Sequence, residues 1–123
     1  MGETRSPGGE ETYPTMTPEL FEFFLNIFPP CPKWEDSENE TERKFKEICG
    51  MVKRLYPGHC KTTEEWVKTA HHLTFYDFLK TLMDNPKIYT PARERALSWL
   101  FDRFSLAIDR AEEENRRIKQ VAC

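Results

Sequence analysis

TPARERALSWLFDRFSLAIDRAEEENRRIKQ, residues 90–120, decides the fold. Ala92, Ala96, Leu97, Leu100, Phe101, Phe104, Ala107, Ile108 and Ala111 recur at three- and four-residue steps, which places them along one side of a helix. Thr90-Pro91 opens the run with a favoured N-cap and a proline at the first helical position. No breaker follows, so the pattern predicts a helix of about 30 residues, about 45 Å long. That is more than a single domain of 123 residues spans, so the last turns are expected to project. Leu97, Phe104, Ala111 and Ile118 stand seven apart, a short coiled-coil seam that Glu114 interrupts, so self-association through this helix is an expectation.

Working back from that helix, four shorter ones are predicted. Thr17-Pro18-Glu19 is a helix start, and Leu20, Phe21, Phe23, Phe24, Leu25, Ile27 and Phe28 make the helix apolar nearly all round, hence central. Pro29, Pro30 and Pro32 end it. Ser37-x-x-Glu40 is a capping box ahead of Phe45, Ile48, Cys49, Val52, Leu55 and Tyr56, with Pro57-Gly58 as the stop. Gly50, inside this helix, suggests a close helix crossing. Thr62-x-x-Glu65 caps a short third helix, and Thr74-x-x-Asp77 reads as the cap of a separate fourth. The fourth would turn Phe75, Phe78, Leu79, Leu82 and Met83 inward and stop at Asn85-Pro86. No window shows the two-residue alternation of a strand. The fold class is therefore all-α, a compact bundle of about five helices whose C-terminal one is long and partly projecting. Its parts are a flexible acidic arm over 1–16, a helical domain over 17–110, and a projecting end over 111–123.

Composition narrows the function. Hydrophobic residues are 38% and charged residues 32%, with 13% aromatics to fill a small core. No run approaches a membrane span, and the polar start has no apolar stretch of the secretory kind. Residues 1–40 carry nine acids against Arg5 and Lys33, whereas residues 41–123 carry sixteen bases and twelve acids. An acidic leader on a weakly basic body matches nucleic acid poorly. Four cysteines (Cys31, Cys49, Cys60, Cys123) without a secretion signal read as reduced thiols, so a cytoplasmic or nuclear setting is expected.

The densest chemistry is His59-Cys60 with His71 and Cys49, residue types that bind zinc when four converge on a tetrahedron. His71 and His72 are adjacent on a helix and point apart, and no CxxC or HxxxH is present. The chain also holds no Gly-rich phosphate loop, HExxH or GxSxG, and His59 and Cys60 have no orienting partner at a recognisable spacing. No catalytic residue and no cofactor is expected. That leaves surfaces: Trp34 and Tyr89 in loops, and Trp99, Phe101, Arg103, Arg110 and Arg117 on the long helix, since Trp and Arg are common interface anchors.

One further pattern concerns the chain start and the order of aromatic helices. Met1-Gly2-Glu3-Thr4-Arg5-Ser6 fits the loose myristoylation motif at Gly2. Glu22-Phe23-Phe24, the Cys31-Pro32 turn, then Phe45, Ile48, Val52 and Tyr56, and finally the run from Leu73 to Leu79 follow one another as in the matrix domain of betaretroviral Gag proteins, which this half of the chain resembles. The resemblance implies an all-helical fold, membrane targeting through an acylated Gly2, and self-assembly. The chain departs from that family in Glu3, in its acidic leader and in having no lysine/arginine cluster of the kind that holds anionic lipid. The residues by themselves point to a non-enzymatic helical interaction module, an adaptor or accessory protein with a protein partner. The resemblance supplies the alternative, a membrane-peripheral assembly protein.

Overall fold

The computed structural model describes residues 13–31 and 38–122, with side chains as far as Arg117. All regular structure among them is helical: α1 (Pro18–Ile27), α2 (Glu38–Leu55), α3 (Thr63–His72), α4 (Leu79–Met83) and α5 (Pro91–Ala122). A 3-10 turn, Pro57–His59, joins α2 to α3. No described helix is long and apolar enough to cross a membrane.

Helix starts follow local chemistry. Thr17 accepts a hydrogen bond from the Leu20 amide at 3.1 Å, and Thr62 accepts one from the Glu65 amide at 3.1 Å. Glu65 in turn accepts from the Lys61 amide at 3.0 Å, so two amides of the α3 entrance are satisfied reciprocally. Thr90 Oγ1 accepts from the Arg93 amide at 3.0 Å while donating to the Pro30 carbonyl at 2.8 Å, which ties the α5 start to the α1 exit. Ser37, the expected cap of α2, lies outside the described residues.

The expected break between the third and fourth helices is absent. α3 runs into α4 through a π turn, Leu73–Phe78, in which the Leu79 amide reaches back to the Thr74 carbonyl. Thr74 is buried and donates to the Ala70 carbonyl at 2.8 Å, so it continues the helix instead of capping a new one. The cause is a side-chain ladder. Ala70, Thr74, Phe78 and Leu82 are all fully buried and each is four residues from the last. In an unbroken α-helix every four-residue step overshoots the turn by about 40°, so three steps would carry Leu82 off the core. The wider π winding undershoots and cancels the drift.

The core gathers rings from every long element. Phe78 lies 4.9 Å from Phe24 and 5.9 Å from Phe28, locking α1 onto the bent helix. Phe104 of α5 meets Phe45 of α2 edge-on at 4.8 Å and Phe75 at 5.5 Å. Leu97, Leu100, Phe104 and Ala111 are buried, so these positions of the heptad seam pack inside the domain, and the Ile118 side chain lies outside the described residues.

Three boundaries differ from the sequence expectation. Residues 13–16 do not belong to a free arm: the Tyr13 ring stacks on His72 at 4.3 Å, the Met16 amide donates to Asp77, and the Tyr56 hydroxyl donates to the Thr15 carbonyl at 3.0 Å. α5 stays against α3 at least as far as Asn115, whose Nδ2 donates to Glu64 at 2.9 Å, so residue 111 is not where it leaves the domain. Gly50 is exposed, and a Cβ there would meet nothing within 4 Å, so no helix crosses at that point.

Candidate functional site

α5 runs antiparallel to α3, matching Asn115 to Glu64 at one end and Phe101 to Phe75 further along. Past the π turn an open hollow of about 370 Å³ is lined by Phe75 and Leu79 on one side and by Glu94, Leu97, Ser98, Phe101 and Asp102 of α5 on the other. A second hollow of about 520 Å³ continues over Phe75, Tyr76, Leu79, Lys80, Met83 and Asp84. Phe75 and Leu79 line both, so the two form one groove. Tyr76 is 68% exposed, Met83 60% and Phe101 45%, although each is large and apolar. The expectation that Met83 faces inward is corrected here, and Phe75 and Leu79 are only half-buried. The ladder that draws Phe78 and Leu82 into the core leaves the neighbouring face of the same helix uncovered among the described residues.

Charge surrounds this floor unevenly. Asp84, Glu94 and Asp102 line the groove with Lys80 as the base among them. Glu94 accepts a 2.5 Å hydrogen bond from the Tyr89 hydroxyl, and that bond holds the phenol proton more tightly than usual. Behind the floor, His71 packs on Phe75 at 5.1 Å, Phe101 at 5.6 Å and Phe104 at 6.0 Å, and burial among these rings pushes its pKa down.

Of the residues singled out as partner contacts, the structure places Phe101 in the groove. Tyr89 is half-buried and bonded to Glu94, and Trp99 is half-buried against the core. Arg103 is turned inward, 2.5 Å from Glu42 and over the Phe45 ring at 4.5 Å, and this pairing holds the Glu42 carboxyl below its usual range. Arg110 and Arg117 are exposed, the latter 4.0 Å from Glu113. Trp34 and Gly2 lie outside the described residues. Tyr76 and Leu79, which sequence reasoning did not single out as partner contacts, belong to the groove. The signal for them was the four-residue ladder, which rotates them away from the core.

The proposed metal ligands do not gather. Cys49 is buried, where loss of solvent pushes its thiol up to about 12; Cys60 is half-buried, His59 exposed, and His71 sits in the aromatic cluster. Among the described residues no group of three or more His, Cys, Asp or Glu converges. Burial also pushes the Cys60 thiol up, the direction opposite to that of an activated nucleophile. A cavity of about 430 Å³ between the 3-10 turn, α3 and α5 has His59, Glu64, Glu65, Lys68 and Asn115 in its lining. Its charged centre is already engaged: Lys68 is held by Glu64 at 2.8 Å and Glu112 at 3.2 Å, and Glu64 also accepts from Asn115. The groove gathers three of the four large apolar side chains exposed among the described residues. Comparison of the chain with protein-family models, curated proteins and solved structures finds no match.

Proposed function

We propose that this chain is a non-enzymatic interaction module that receives the apolar face of a partner helix in the groove between the bent α3–α4 rod and α5. The observation that carries this reading is the contiguity of Tyr76, Met83 and Phe101, large apolar side chains left exposed around Phe75 and Leu79. Leaving such surface in water is unfavourable by about 25 cal/mol per Å², and an amphipathic helix laid along the groove removes that penalty. Two walls from different helices with an apolar floor match the shape of a helix-in-groove receptor.

Site-specific photocrosslinking tests it. A photoreactive residue at position 83 is expected to give a discrete protein adduct in the cells that make the chain, while one at the exposed Lys46 of α2 gives none. Phe101→Glu is expected to abolish the position-83 adduct without changing the circular-dichroism spectrum. No adduct at position 83, or equal adducts at both positions, overturns the reading.

A further inference from the structure

Resting on the groove reading, we propose that the occupant of the groove is the basic end of α5 from a second copy of this chain. The groove lining carries Asp84, Glu94 and Asp102 against Lys80. Its occupant should therefore be a helix with an apolar stripe flanked by bases. Beyond Asn115, which still bonds Glu64 of α3, residues 116–122 read RRIKQVA. That is three bases and no acid, with Ile118 and Val121 three apart and the whole stretch within the α5 helix. Arg117 is 4.0 Å from Glu113 with both ends well exposed, a pairing weak enough to exchange for a better one.

The segment cannot fill the groove of its own molecule. Phe101, in the groove, and Arg116 lie on one continuous helix, about 22 Å apart along its axis. A helix cannot fold back on itself, so the tail meets only another copy's groove. The sequence of residues 1–12 suits the groove poorly, since Glu3, Glu10 and Glu11 against Arg5 would meet an acidic lining. Because tail and groove are different surfaces, the contact is head-to-tail, and each copy that donates a tail still offers its own groove. A tail this short buries little area, so association belongs to the weak class, visible at high protein concentration and low salt.

The test is a charge exchange in the full chain, read by sedimentation equilibrium. The unaltered protein is expected to show a concentration-dependent rise in mass. Asp84→Lys with Asp102→Lys, which reverses the groove, and Arg116→Glu with Arg117→Glu, which reverses the tail, should each weaken association about tenfold or more. In an equimolar mixture the intact tail meets the intact groove and the reversed tail meets the reversed groove, so association should be restored. A monomeric unaltered protein at several hundred micromolar overturns the proposal, as does a mixture that stays monomeric or association that survives both reversals. The groove reading itself is judged separately, since a position-83 adduct whose mass identifies a different protein would keep the groove and remove the second copy as its occupant.

Discussion

Arg93 offers the sharpest test of how the two ends of the fold are held together. It is 6% exposed and faces carbonyls: Nε donates to Phe28, Nη1 to Ile88 at 2.7 Å, and Nη2 to Leu25 at a long 3.4 Å. Leu25 lies in the last turn of α1 and Phe28 is its C-cap, so the guanidinium neutralises the negative end of that helix while hydrogen-bonding its terminal carbonyls. Arg93→Met keeps the aliphatic stem and removes the donors. Two firm charge-assisted bonds are worth about 3–6 kcal/mol gross, and the solvation the buried cation regains in the unfolded chain offsets part of that. A carbonyl that loses this donor adds about 1–3 kcal/mol unless water or another donor reaches it. The net expected loss is about 2–4 kcal/mol, a large share of the roughly 5–15 kcal/mol available to a domain. Arg93→Lys retains one donor and should lose about half as much. Urea denaturation followed by far-ultraviolet circular dichroism measures both. A loss under about 1 kcal/mol for Arg93→Met, or a Lys variant as damaged as the Met variant, refutes the carbonyl-clamp reasoning.

Gly50→Ala should stabilise the protein by about 0.5–1 kcal/mol, because the position is helical and exposed and a methyl there meets nothing; destabilisation in the same urea assay would show a contact at that face. His71 carries a pKa depressed below its ordinary 6.5, so the unfolded chain binds the extra proton first and stability falls as pH drops through 6.5. A Tm series across that range should show the loss, and His71→Phe should flatten it; an unchanged slope would place the titration elsewhere. Native alkylation mapped by peptide mass spectrometry should modify exposed Cys31 well before Cys49, whose thiol keeps its proton to about 12 in the folded state. By the same sign argument, folding stability declines as pH climbs from 9 toward 12, because the unfolded thiol ionises first. Equal labelling of Cys31 and Cys49 in folded protein would contradict the burial.

Local chemistry made part of this fold readable. Thr17-Pro18, Thr62-x-x-Glu65 and Thr90-Pro91 announce helix starts within four residues, and the structure caps α1, α3 and α5 with those threonines. The π turn was hidden because Thr74-x-x-Asp77 imitates a cap, and only the shared burial of Ala70, Thr74, Phe78 and Leu82 shows that the helix must continue and rewind. The groove was half visible. Phe101 stands out on any helical plot, but whether Met83 points inward depends on how the rod is wound after the π turn, which no short window encodes.

Arg93 illustrates a signal that was present and passed over. It sits in the first turn of α5, where the helix dipole disfavours a base and the neighbouring Glu94 is the expected kind of residue. A residue that opposes its local rule has to be stabilised by something distant, and here that partner is the opposite pole of α1. The same logic applies to Tyr76, Met83 and Phe101, which break the rule that large apolar groups leave water. For Arg93 the compensating contact lies within the molecule. For the groove no described residue supplies it, and that is the ground on which a second helix across Phe75 and Leu79 is proposed.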